Sequence, residues 1–268
     1  MFYHDKRLQY SAEPSRPDAL YAKKLQEALG GQFGEISVMM QYLFQGWNCR
    51  GPAKYKDMLL CTATEEIGHV EMLANMIARL LDNAPAEAQE AAANQSVAVE
   101  AVMGGTRVDD AIMNAAMNPQ HFIANGLGAA PNDSVGFPWT ARYIVSSGNI
   151  MADMRANVNA ESQGRLQVAR LYEMTEDPGI RDMFSFMLAR DTMHQNQWLA
   201  AIEELKADGL DDVPTPMTIP LEAERRENAY QFFACSDGTD AKQGRWASGP
   251  TPDGKGEFSF VQPVEPMG

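Results

Sequence analysis

Apolar residues recur every three to four positions in four long runs between Asp18 and about Ala207, the period of helices that bury one face. The first run extends from Asp18, a capping residue, to about Trp47, and Leu20, Leu25 and Leu29 open its stripe. Gly30, Gly31 and Gly34 lie within it, each costing about 1 kcal/mol relative to Ala in a helix. Their presence there implies close approach of a neighbouring helix. Gly51-Pro52 breaks the chain, and the second run covers Ala53 to about Leu81, ending near Asp82-Asn83-Ala84-Pro85. The third run covers Asn149 to about Met174. The fourth begins with Asp177 as N-cap and Pro178 at the first helical position, and ends near Ala207.

Outside these runs the period is lost. Residues 1–17 are polar with Pro14 and Pro17, and form an extended arm whose Leu8 and Tyr10 are expected to pack on a neighbour. Residues 86–103 are rich in Ala and Glu and read as either a short helix or a mobile insert. Gly104-Gly105 marks a turn, and residues 106–148, broken by Pro119, Pro131 and Pro138, form a long crossover. Residues 208–268 are rich in Pro, Gly and Asp, with apolar pieces at Tyr230–Phe233 and Phe258–Val261. They read as an arm that wraps a partner subunit, with short strands. The expected architecture is all-α: a four-helix bundle over 18–207 with a long crossover, between extended arms at 1–17 and 208–268.

Polar residues that interrupt the apolar stripes suggest the chemistry. Glu66 and His69 stand three apart, one turn along a face they share with Leu59, Thr62, Leu73 and Met76. A carboxylate and an imidazole on a core-facing stripe are costly to bury unless something binds them. Alone this pair is a weak signal, because Glu and His three apart are common on solvated helices. The other runs supply more. Glu35 shares a face with Met39 and Tyr42, Glu161 with Met154 and Val158, and Asp191 and His194 with Met187 and Trp198. The order is Glu, Glu-x-x-His, Glu, Asp-x-x-His, one set per run, the pattern of di-metal carboxylate bundles. Four carboxylates balance two divalent ions, and Glu66 is placed to bridge them. Oxygen-rich ligation with one nitrogen per ion suits manganese or iron.

The 268 residues are 45% hydrophobic, enough for one large core. A formal net charge of −14 argues against nucleic acid and anionic membranes as partners. No apolar run reaches membrane-spanning length, and the first residues lack a signal-peptide core, so a cytoplasmic protein is expected. Three widely spaced cysteines, Cys49, Cys61 and Cys235, fit neither a zinc ribbon nor a secreted disulfide framework.

Specific strings carry a resemblance beyond spacing. They include Leu29-Gly30-Gly31-Gln32-Phe33-Gly34-Glu35, Lys54-Tyr55-Lys56-Asp57, Thr64-Glu65-Glu66, His69-Val70-Glu71-Met72, Ser146-Ser147-Gly148-Asn149, Ala152-Asp153-Met154-Arg155, Arg165-Leu166-Gln167-Val168 and Leu188-Ala189-Arg190. The chain resembles the non-haem manganese catalases of the ferritin-like superfamily over most of its length. The resemblance implies a ferritin-like bundle, a homohexamer, two manganese ions per subunit and no haem. Ligands fall on Glu35, Glu66, His69, Glu161 and His194, and a tyrosine behind them on Tyr42. The implied reaction disproportionates hydrogen peroxide to water and dioxygen, and Asp191 stands where relatives carry a Glu that moves protons. Ala160 replaces an Arg that narrows access to the metals in some relatives. Asp57, Ser236 and Gly238 match positions that bind calcium between subunits in some relatives, whereas Cys61 and Ala234 replace Asp and Asn ligands there. Cys61 and Cys235 are then either a disulfide replacing that ion or two buried free thiols. A di-iron peroxidase or oxidase, and a non-catalytic spore-coat protein, are the alternative functions on the same fold.

Overall fold

Helix ends follow the capping residues of the sequence. Asp18 accepts from the Tyr21 N–H and starts α1, Ala19–Gly30. Asn149 accepts from the Ala152 N–H and starts α4, Ile150–Glu173. Asp177 accepts from the Gly179 and Ile180 N–H groups and, with Pro178 first, starts α5, Pro178–Ala207. Between them lie α2, Glu35–Asn48, and α3, Ala53–Leu80. The computed structural model describes residues 4–82, 128–210, 224–235 and 238–261. The chain divides into two units, Met1–Val213 and Pro214–Gly268.

The first unit is the ferritin-like bundle. α2 packs on α3, α4 on α5, and α1 on α3. The first run of the sequence is two helices rather than one. α1 ends at Gly30, with the Gly31 N–H donating to Glu27 O, and Gly34 is the N-cap of α2. Three poor helix formers within five residues let the chain turn there. The break has a use: it makes Glu35 the first residue of α2, at the positive end of its dipole. Gly30 does allow a close approach, but by the returning crossover and not by a helix. A Cβ there would lie 2.3 Å from the Asn132 carbonyl oxygen. Buried Gln26 holds the same loop, donating to Ala130 O at 2.7 Å and accepting from the Ala130 N–H at 3.0 Å.

The interior has two apolar clusters. One gathers Leu25, Leu29, Leu73, Met76, Ile77, Met183, Phe184 and Met187. The other gathers Tyr42, Leu59, Met154, Trp198 and Leu205. On α3, α4 and α5, residues of one cluster precede and residues of the other follow a polar stretch, at Glu66–His69, Glu161 and Asp191–His194 respectively. Glu35 falls likewise between the α1 residues of the first cluster and Val38 and Tyr42 of the second. The polar layer is therefore sandwiched between apolar ones.

The N-terminal arm packs on its own bundle. Leu8 and Tyr10 lie against the first cluster, and Tyr10 stacks on Phe186 with centroids 4.5 Å apart. Ser15 N–H donates to Asp177 at 2.9 Å. Of the crossover, residues 128–148 are described. The Ala- and Glu-rich stretch, Gly104-Gly105 and His121 lie outside the described residues. The second unit contains a small sheet of β1, Gln231–Phe233, β2, Gly249–Pro250, and β3, Glu257–Val261, in the order β1-β3-β2. The two apolar pieces of the tail are partners: β1 and β3 run parallel with Phe232 opposite Phe260. Among the described residues no helix is long and apolar enough to cross a membrane.

Gly30→Ala sets two effects against each other. Ala gains about 1 kcal/mol of helix propensity, whereas forcing a methyl against a backbone oxygen costs about 1–3 kcal/mol or more. Backbone cannot rotate away as a side chain can, so the clash wins. The urea midpoint of the variant is expected to fall, and an unchanged or higher midpoint would show that the loop moves freely.

Candidate metal centre

Four helices bring six ionisable groups to one level. Glu35 comes from α2, Glu66 and His69 from α3, Glu161 from α4, and Asp191 and His194 from α5. All are buried, and both imidazoles are 0% exposed. Glu66 stands at the middle. Its Oε2 lies 2.6 Å from His69 Nδ1 and its Oε1 2.8 Å from His194 Nδ1. Glu35 Oε2 is 3.6 Å from His69 Nδ1, and Glu161 Oε1 is 3.4 Å from His194 Nδ1. Two triads result, Glu35–Glu66–His69 and Glu66–Glu161–His194, each with its ligand atoms within 4.8 Å of one another.

The donor set fits a pair of cations. Both oxygens of Glu66 and both nitrogens of each histidine lack a hydrogen-bond partner despite the short separations. The ring nitrogens are close to the carboxylates without being aimed at them. Leaving such atoms buried and unsatisfied costs about 1–3 kcal/mol each. An ion in each triad removes that cost for the Glu66 oxygens and for one nitrogen of each ring, and two ligands each about 2.1 Å from one ion stand about 3 Å apart at right angles.

The electrostatics of the metal-free cluster show the same strain. Burial and the neighbouring Glu66 charge push Glu35 up to about 8. Burial, then Glu35, Glu161 and Glu66, raise Asp191 well above the usual carboxylate range. Burial also raises Glu161, with His194 opposing. Glu66 moves the other way: against its desolvation, His69 and His194 hold it below the ordinary range. Although burial disfavours imidazolium, contacts with Glu161, Glu65 and Glu66 push His194 up to about 12. Glu66 thus stays ionised while its neighbours hold protons.

Behind the ligands, the Tyr42 hydroxyl donates to Glu161 Oε1 at 2.6 Å, and its ring leans on Trp198 with centroids 4.9 Å apart. Asp191 is next to the triads but belongs to neither, and its buried Oδ2 has no partner. Ala160 lines a cavity of about 150 Å³ with Phe33, Val38, Gln41 and Ala156.

Other expected positions belong to neither triad. Asp57 is exposed on α3, Gly238 is exposed in the second unit, and Ser236 lies outside the described residues. Cys61 and Cys235 lie in separate units, and each is free and exposed in the single chain. Cys61 sits on the outer face of α3 because its neighbours Thr62 and Ala63 take the inner one. Glu65, beside the shared Glu66, has no role in the sequence pattern. It pairs with Arg190, at 2.6 Å, and also lies 3.3 Å from His194 Nε2. The available signal was its position four residues before His69, on the same face.

Comparison with known proteins follows this geometry. The family described as manganese containing catalase matches residues 1–267. The chain is 61% identical over 261 residues to an uncharacterized protein, YjqC, of Bacillus subtilis (strain 168), covering 97% of this chain and 90% of that one. It is 56% identical over 268 residues to a manganese catalase of Bacillus subtilis, covering 100% and 93%. In fold it is similar to the crystal structure of KatB, a manganese catalase from Anabaena, with a TM-score of 0.71 at 24% identity, covering 97% and 99% of the two chains.

Metal uptake should be coupled to protons. With Glu35 at about 8 and His194 at about 12, both carry protons at neutral pH in the metal-free protein. A cation must displace them, so its affinity rises with pH. Adding manganese to weakly buffered apoprotein at pH 7 is expected to acidify the solution, and affinity measured by equilibrium dialysis should be higher at pH 8 than at pH 6. Uptake without proton release would contradict these assignments.

Proposed function

Because the chain belongs to the manganese containing catalase family, we propose that two manganese ions sit in the two triads and that the protein disproportionates hydrogen peroxide to water and dioxygen. The observation that carries this reading is the sharing of Glu66, one oxygen to each triad, which calls for a pair of ions and not a single one. Glu35 and His69 complete one set of ligands, and Glu161 and His194 the other. When bound, the manganese pair supplies a two-electron store that is filled by one peroxide and emptied by the next.

The residues handle what the electrons do not. Oxidising one peroxide to dioxygen releases two protons, and reducing the second to two waters consumes two. A buried group near the ions must therefore take up and return protons. Asp191 fits that role, since its carboxyl is raised and its Oδ2 is unpartnered. Asp is one methylene shorter than the Glu that the resemblance places here, so its reach toward the ions is shorter. Tyr42 fixes the orientation of Glu161 through its short hydrogen bond. Ala160, next to Glu161, lines a cavity where the resemblance places an Arg side chain in some relatives.

The homohexamer rests on the family resemblance. A cytoplasmic location accords with the sequence, whose three widely spaced cysteines fit no secreted disulfide framework. Calcium is not assigned: only Asp57, Ser236 and Gly238 match the resemblance, and Cys61 offers a thiol where a hard oxygen ligand is needed.

Elemental analysis together with an oxygen electrode tests the reading. Wild-type protein is expected to hold about two manganese ions per chain and to release one dioxygen for every two peroxides, whereas His69→Ala loses both metal and activity. Peroxide loss without dioxygen, or iron in place of manganese, would contradict it. Asp191→Asn should keep its manganese but lose roughly a hundredfold or more in kcat, and an undiminished kcat would remove Asp191 from the proton path.

A further inference from the structure

Glu65 precedes the shared Glu66 and lies on the far side of both imidazoles. Its Oε2 is 3.3 Å from His194 Nε2 and its Oε1 is 3.8 Å from His69 Nε2. Among the described residues, no other carboxylate comes within 4.0 Å of either nitrogen. Its own position is fixed from two directions. Arg190 on α5 grips both oxygens, at 2.6 and 3.2 Å. Gln9 of the N-terminal arm donates to Oε1 at 3.2 Å. Room for Gln9 comes from Gly68, where a Cβ would lie 2.6 Å from the Gln9 side-chain oxygen.

We propose that Glu65 is a positioning residue of the metal-binding histidines, its charge favouring the Nε2 proton of His194 and, from farther off, that of His69, so that each Nδ1 is free to coordinate. The inference rests on the manganese reading above. A neutral imidazole has one N–H and one lone pair, and only the lone pair can bind metal. Both Nδ1 atoms face Glu66, so both protons must sit on Nε2. A buried N–H with no acceptor is costly, whereas a carboxylate beside it stabilises that tautomer and makes the opposite nitrogen a better ligand. The two rings lie 6.0 Å apart and 30° from parallel, which lets one carboxylate serve both. Arg190 neutralises its charge, so the tautomers are set without adding a negative charge to a balanced centre. Gln9 ties the arm to the same carboxylate.

The contacts are unequal. At 3.3 Å the His194 side is near hydrogen-bond range, and at 3.8 Å the His69 side is not. Loss of Glu65 is therefore expected to weaken the ion held by His194 more than the one held by His69.

Equilibrium dialysis with manganese on wild type, Glu65→Gln and Glu65→Asp is the test, with tautomers read by nitrogen-15 NMR on histidine-labelled, zinc-loaded protein. Glu65→Gln is expected to lose about 10–100-fold in manganese affinity, with the second ion lost first, and to show a mixed or altered His194 tautomer. Should that variant not fold, Glu65→Asp carries the same test: it keeps the charge, shortens the reach and is expected to lose affinity in the same order. Affinity within twofold of wild type and unchanged Nε2–H signals in a folded variant would overturn the proposal. Failure of wild-type protein to take up manganese would overturn the functional reading, and this inference with it.

Discussion

Ionised groups placed inside an apolar bundle set the terms for the rest of this structure. Glu35, Glu66, Glu161, Asp191, His69 and His194 occupy one level between two hydrophobic clusters, and none is open to water. Several kcal/mol of desolvation attach to each unpaired ion in such a place. The mutual response of the groups is visible: Glu66 remains charged between two imidazoles while Glu35 and Asp191 are pushed toward their neutral forms. Two divalent cations would offset four carboxylates and give partners to both Glu66 oxygens and to the Nδ1 of each histidine. The apolar layers above and below hold this level together and keep bulk water away from it.

The irregular parts of the fold serve that level. The α1–α2 break sets Glu35 at a helix start. The returning crossover is tied down by buried amides, with Gln41 accepting from the Val145 N–H and Gln45 donating to Val145 O. Asn157 joins the same two glutamines, at 2.8 Å each, and so links α2 to α4 four residues before Glu161. Each of these contacts restricts the freedom of an element that carries a ligand.

Much of this was legible in the sequence because the ligands obey helix periodicity. Glu66 and His69, and Asp191 and His194, stand on faces that are otherwise apolar, and a polar residue on such a stripe is conspicuous. The caps Asp18 and Asp177 and the apolar pieces at Tyr230–Phe233 and Phe258–Val261 were equally plain. Three features were hidden. The apolar period continues through Gly30–Gly34, so one helix was expected where two exist. Leu8 and Tyr10 show that the arm is apolar in places but not what covers it, and here it is Phe186 and the first core cluster. Glu65 looks like any charged residue beside a motif. Its role depends on Arg190, 125 positions later, which no local pattern reveals.

The central claim is that one carboxylate joins two metal sites. Anomalous diffraction from crystals of manganese-grown protein, collected on either side of the manganese absorption edge, tests it most directly. Two manganese peaks per chain are expected, one beside each oxygen of Glu66, the first shared with His69 and the second with His194. A single peak, or peaks away from Glu66, would contradict the account.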